Sequence, residues 1–261
     1  MEPVSKIGQH IPLVGTVADT LLIVKNTTDK GITIQTFLSN GSTLTAPTMS
    51  EVNRKHCRGI VRSHKIKYYV HAPYTINFCT MMNPGKGYVQ KCAQQYLKLS
   101  FDIEALGVVF HVGKSVKLEI KKALNAMTLS LMHLCKFAKR DCPILLETPA
   151  GQGTELLVGY ASFSAYYKYI QPHTDSRMKV CIDTCHVFAG GDDPLEYITK
   201  WILEHGADSI GLVHFNDSKT PRGSRKDRHE PFLSGNGHIG IDTMMSIARL
   251  CADNDIHMVT E

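Results

Sequence analysis

Eight short apolar or β-branched runs punctuate the chain, at residues 6–11, 31–38, 67–70, 107–112, 143–146, 179–182, 209–213 and 256–260. Most stretches between them repeat their apolar residues with a helical period. Val89, Cys92, Tyr96, Ile103 and Leu106 fall on one such face; Val116, Ile120, Leu124, Met127, Leu131 and Leu134 fall on another. Strand-like runs joined by helical connections predict a parallel α/β architecture, and eight of them predict a closed eight-stranded (β/α) TIM barrel. A doubly wound sheet is the competing arrangement. It asks for a glycine-rich loop after the first strand, which Gly8 and Gly15 do not make.

Boundary residues agree. Thr48 with Glu51 resembles a capping box before a helix holding Val52, His56 and Ile60. Asp193-Pro194 supplies a cap and a first-turn proline, and Gly206 a stop. Residues 1–261 are expected to form a single domain, since no Pro- or Gly-rich linker or repeat divides them. The eighth run meets the end of the sequence at Glu261, so the barrel is expected to lack its final helix, leaving Ile256 and Met258 in need of another cover.

Composition narrows the class. With 43% hydrophobic and 20% charged residues the chain is neither disordered nor fibrous. No apolar run nears the roughly 20 residues of a membrane helix, and Met1 to His10 shows no charged-then-apolar pattern, so no secretory signal is expected there. The eight cysteines contain no Cys-x-x-Cys pair and read as reduced core thiols of a cytoplasmic or nuclear protein. A net charge of +5 permits an anionic partner without requiring one.

The sharpest signal lies where the runs end. His71, His111, Glu147, Asp183, His214 and Glu261 stand at six strand ends, which converge at the mouth of a parallel barrel. Strand alternation puts Leu145 with Glu147, Cys181 with Asp183, Leu212 with His214, and Val259 with Glu261 on common faces. One histidine at a strand end is ordinarily a hydrogen-bonded core residue. Six His, Asp or Glu residues at six ends instead suit a borderline metal such as zinc. His186, one turn after Asp183, and the Asp227/His229 pair add further donors. The loop holding that pair also carries Arg222, Arg225, Lys226 and Arg228, a solvated segment or a set of phosphate contacts. Gly235 to Gly240 lacks the strand and Lys-Ser/Thr context of a phosphate loop and reads as a turn into a helix. No Gly-x-Ser-x-Gly elbow is present.

Three long motifs resemble one family. Glu147-Thr-Pro-Ala-Gly-Gln-Gly-Thr-Glu155, Asp183-Thr-Cys-His-Val-Phe-Ala-Gly-Gly191, and His214-Phe-Asn-Asp-Ser-Lys219 with Gly223-Ser224 and Asp227-Arg-His229 are similar to endonuclease IV, and the likeness runs from Ile7 to Glu261. The resemblance implies zinc-dependent DNA repair: hydrolysis 5′ of an abasic site in double-stranded DNA, leaving a 3′-hydroxyl and a 5′-deoxyribose phosphate, with trimming of blocked 3′ ends. It implies three zinc ions, a hydroxide held between metals as nucleophile, and a monomer. Carried over by motif, His71 and His111 would bind the first zinc and Glu147 would bridge it to the second. Asp183, His214 and Glu261 would complete the second; His186, Asp227 and His229 would hold the third. Tyr74 matches a position that presses into DNA at the lesion. Two departures stand out: Val112 replaces the usual proline, and the loop from Leu38 to Thr43 lacks the Arg and Trp of bacterial relatives.

The nearest rival is a xylose-isomerase-like sugar isomerase or epimerase with one divalent metal, for which Glu147, Asp183, His214 and Glu261 would suffice. His71, His111, His186 and the Asp227/His229 pair would then be surplus. A lesion-binding module without turnover is the non-enzymatic alternative.

Overall fold

The computed structural model describes residues 7–261; residues 1–6, including Lys6 of the first run, lie outside the described residues. All eight runs enter one closed parallel barrel. Its strands are β1 (Ile7–His10), β2 (Thr33–Thr36), β3 (Lys67–His71), β4 (Val108–His111), β5 (Ile144–Glu147), β6 (Met178–Asp183), β7 (Ile210–His214) and β10 (Met258–Thr260). The last of these pairs with both β1 and β7, closing the ring. A small antiparallel pair, β8 (Asp217–Ser218) and β9 (His229–Glu230), ties down the long loop after β7.

Helices fill the connections: α1 (Val17–Thr27), α2 (Glu51–His64), α3 (Gly87–Asp102), α4 (Ile120–Cys135), α5 (Tyr160–Ile170), α6 (Thr184–Gly190), α7 (Pro194–His205) and α8 (Ile241–Asp253). Asp193 caps α7 through the amide of Glu196, with Pro194 in the first turn and Gly206 after the last, as expected. Gly240 leads into α8 with φ +86°, the turn expected there. The cap of α2 is Ser50, which accepts from the Asn53 amide, and not Thr48. The arginines of α2 form a paired outer face, with Arg54 on Glu51 and Asp102, Arg58 on Glu51, and Arg62 on Glu104.

The helical period overreaches at two places. Leu106 lies beyond α3 and is exposed, and Val116 precedes α4 in a left-handed turn at φ +55°. That turn is held from across the chain, by Val116 N–H on Thr154 Oγ1 and Ser115 N–H on the Thr154 carbonyl. Ile256 and Met258, expected to need a cover, are already buried in the main core.

The core has two layers. Residues on the outer strand faces pack against the helices. Inside the barrel, Tyr69, Val109, Leu145, Cys181, Leu212 and Val259 form a separate cluster. The pairing of β6 with β7 slips at Val180/Cys181; Gly211 there leaves room for Leu145, which a side chain at that position would have to displace.

All eight cysteines are free and buried. Burial pushes the thiols of Cys57, Cys79 and Cys92 up to about 11, and those of Cys135, Cys142, Cys181, Cys185 and Cys251 up to about 12. The thiolate is the reactive form, so Ellman's reagent at neutral pH should react with the native chain about 100-fold more slowly than with free thiol. Denaturation should release all eight equivalents. A rapid native burst of several equivalents would contradict this burial.

Candidate metal centre

The six inner-layer residues explain the site. Each stands two positions before a polar residue that ends its strand or, for Glu261, directly follows it, so alternation turns that residue inward, one layer nearer the mouth. Tyr69 leads to His71, Val109 to His111, Leu145 to Glu147, Cys181 to Asp183, Leu212 to His214, and Val259 to Glu261. Register brings them level: His111 pairs with Glu147, and Asp183 with His214.

Glu147 is the hub. Its Oε2 lies 3.4 Å from His71 Nε2 and 3.2 Å from His111 Nε2. Its Oε1 lies 3.0 Å from His214 Nδ1 and 3.4 Å from His186 Nδ1. His214 Nδ1 also faces Glu261 Oε2 at 3.0 Å and Asp183 Oδ2 at 3.6 Å. Towards the β7 loop, Asp227 lies 3.2 Å from His186 Nε2 and 3.1 Å from His229 Nε2. Possible donor atoms lie within 4.8 Å of one another in several groups, among them His71–His111–Glu147, Glu147–Asp183–His214–Glu261, and Asp183–His186–His229. The nine expected positions thus converge, Asp227 through its two histidines. Cys185, expected as a core thiol, is also grouped with Asp227 and His229; its raised pKa keeps it protonated at neutral pH.

Partners outside the cluster aim the ligating atoms inward. His71 Nδ1 donates to the Ala72 carbonyl at 2.6 Å, and His186 Nδ1 to the Thr148 carbonyl at 2.9 Å, leaving each Nε2 for the cluster. Asn216 donates to Asp183 Oδ2 and accepts from the Glu261 amide, so the last residue is tied at its backbone as well as its side chain. Such outer partners orient the ligands of metal sites.

Charge makes the same demand. Burial opposes ionisation of Glu147 and Glu261, yet neighbouring imidazoles, His111 foremost at Glu147 and His214 at Glu261, hold both carboxyls well below their usual range. Burial also opposes charge on His186 and His214; Asp183 and its neighbours outweigh it at His186, and Cys181 with Glu261 and Glu147 at His214, raising both well above the usual imidazole value. His111, dominated by burial, is lowered. Glu147 Oε2, His186 Nε2 and His229 Nε2 are buried and make no hydrogen bond of acceptable geometry. Buried polar atoms are rarely left so. A cluster of ionised carboxylates and inward imidazole nitrogens could hold divalent metal.

A cleft of about 870 Å³ opens over the cluster, lined by His71, Tyr74, His111, Glu147, His186, Asp227, His229 and Glu261 among others. Asp183 and His214 are fully buried beneath it. Tyr74 is half exposed at its edge. Arg222, Arg225, Lys226 and Arg228 are exposed on the β7 loop outside the lining, and Arg222 is turned away onto the Gly191 carbonyl. Lys114, which no motif singles out, is the basic side chain in the lining and pairs with Glu155 at 3.4 Å. His10 and Gln35 likewise belong to none of the three motifs. His10 ends β1 as the ligating residues end theirs, and Gln35 is a lone amide within an apolar, β-branched run.

Comparison with known proteins agrees with this geometry. The model of the xylose isomerase-like TIM barrel family matches residues 31–250. A probable endonuclease 4 of Streptomyces coelicolor is 30% identical over 271 residues, covering 99% of this chain and 90% of the relative. Endonuclease IV from Thermus thermophilus superposes with a TM-score of 0.78 at 19% identity, covering 98% of this chain and 92% of that one. A D-tagatose 3-epimerase-like protein superposes with a TM-score of 0.66 at 15% identity over 97% and 90% of the two chains, so the barrel alone does not separate the chemistries. By sequence over nearly its whole length, the chain belongs to the endonuclease IV family within the xylose isomerase-like TIM barrels.

Proposed function

We propose that this chain is an abasic-site endonuclease that hydrolyses the phosphodiester 5′ of the lesion in double-stranded DNA with three zinc ions. The observation that carries the reading is the placement of Glu147, with His71 and His111 against one carboxylate oxygen and His214 against the other. One metal would need only one side of that carboxylate; donors on both sides, together with Asp227 and His229, exceed what a one-metal sugar enzyme uses.

Zinc bound here would supply an activated water at neutral pH and positive charge against the scissile phosphate and the leaving 3′-oxygen. His71 and His111 would hold the first ion, Glu147 would bridge it to a second with Asp183, His214 and Glu261, and His186, Asp227 and His229 would hold the third. Every donor comes from one chain, consistent with action as a monomer. Tyr74 at the cleft edge offers a ring that can press into the stack and ease the abasic sugar out. Arg225, Lys226 and Arg228, with Arg222 behind them, would meet flanking phosphates on one side, and Lys114 on the other. The same cleft would accept a blocked 3′ end for trimming.

The test uses a duplex with one tetrahydrofuran abasic analogue, which cannot break by β-elimination, and zinc-loaded protein. The expected product is an upstream fragment that a polymerase extends directly, showing a 3′-hydroxyl. No cleavage, coupled with epimerisation of a ketose by the same preparation, would transfer the assignment to the sugar enzymes.

A further inference from the structure

We infer that Gln35 is a positioning residue of the metal centre: it selects the metal-binding tautomer of His214 and fixes the carboxylate of Glu261. The inference rests on the reading of the cluster as a metal site, not on the DNA reaction. Gln35 is fully buried on β2, a strand whose residues join none of the donor groups. Its Oε1 lies 3.0 Å from His214 Nε2. Its Nε2 lies 2.9 Å from Glu261 Oε1 and 2.9 Å from His10 Nδ1.

Chemistry determines which way this amide points. An ionised carboxylate only accepts hydrogen bonds, so the amide nitrogen must face Glu261 and the amide oxygen must face His214. A carbonyl oxygen only accepts, so His214 keeps its proton on Nε2. The lone pair of the neutral ring is then on Nδ1, the atom that faces Glu147, Asp183 and Glu261. His71 and His186 obtain their tautomer, with the proton on Nδ1 instead, from backbone carbonyls. His214 obtains its own from a side chain, so it can be removed by mutation. One neutral group thereby orders two members of the same ligand set and adds no charge of its own.

Two variants separate positioning from packing. Gln35→Ala removes the hydrogen bonds and leaves a hole; Gln35→Met removes them and fills it. Zinc retention is read by titration against a chelator, and the ligand field by the visible absorption of the cobalt-substituted protein, with no DNA present. Both variants are expected to hold one zinc 10- to 100-fold more weakly than the wild-type chain, the usual loss for an outer partner of a ligand, and to shift the cobalt band. Wild-type retention in both, or loss confined to the alanine variant, would overturn the inference. A chain that retained zinc in this pattern but cut no abasic DNA would leave the inference standing and remove the nuclease reading instead.

Discussion

Glu147→Gln is expected to retain the fold and to lower cleavage of an abasic duplex by about 10³-fold or more, beyond the 10- to 100-fold cost of losing an outer partner of a metal. The carboxylate is almost fully buried and meets histidines at both oxygens. The amide keeps the shape but removes the negative charge and turns one acceptor into a donor aimed at the imidazoles. Zinc content should fall with activity, since one side chain would serve two ions. Circular dichroism should be unchanged, because Leu145 and its inner-layer neighbours are untouched. Cleavage near the wild-type rate at full zinc content would show that Glu147 does not bridge.

Stripping the metal is the second large effect. A ligand that binds only the folded state at about 1,000 times its dissociation constant adds roughly 4 kcal/mol per site. At about 2–4 °C per kcal/mol for a chain of this size class, chelation should lower the melting temperature by roughly 10 °C or more. Added zinc should restore both stability and cleavage. The pH dependence has a definite sign. Without metal, the raised pKa values of His186 and His214 contribute stability that is complete below the ordinary imidazole range and is lost as pH rises through the raised values. The depressed Glu147 and Glu261 contribute above the ordinary carboxylate range and lose that contribution as pH falls through the depressed values. Metal competes with the same protons and gains affinity with pH. The gap between loaded and stripped melting temperatures should therefore widen with rising pH; calorimetry showing a constant or narrowing gap would count against metal at these histidines.

The barrel was legible because its eight strands are short, apolar and separated by helices with clear periods, and the site was legible because alternation on four strands already paired an apolar residue with a polar one. His71 and His111 follow the same rule, with Tyr69 and Val109 beneath them. What sequence periodicity missed was long-range. Val116 continues the spacing of α4 but is held in a turn by Thr154, a contact made 38 positions away. Thr48 and Ser50 are both suitable caps, and only the path into α2 chooses between them. Gln35 and His10 gain meaning from Glu261, which lies 226 and 251 residues from them. Their local sequence carries only a weak sign of that role: a polar side chain where the run is otherwise apolar, and a histidine at a strand end.

The crowding of Glu147, Asp183, Asp227 and Glu261 under one cleft has a consequence for recognition. As acids alone they make the floor of the cleft repellent to a phosphodiester, and the protons on His186, His214 and His229 only partly offset them. Divalent ions reverse that sign, and only at the floor, because the exposed arginines and Lys226 on the β7 loop are cationic in either state. An unloaded barrel would thus keep an attractive rim around a repulsive centre. It could rest on intact duplex through its rim, while a flipped-out sugar with its phosphate would be drawn inward only once the metals are in place.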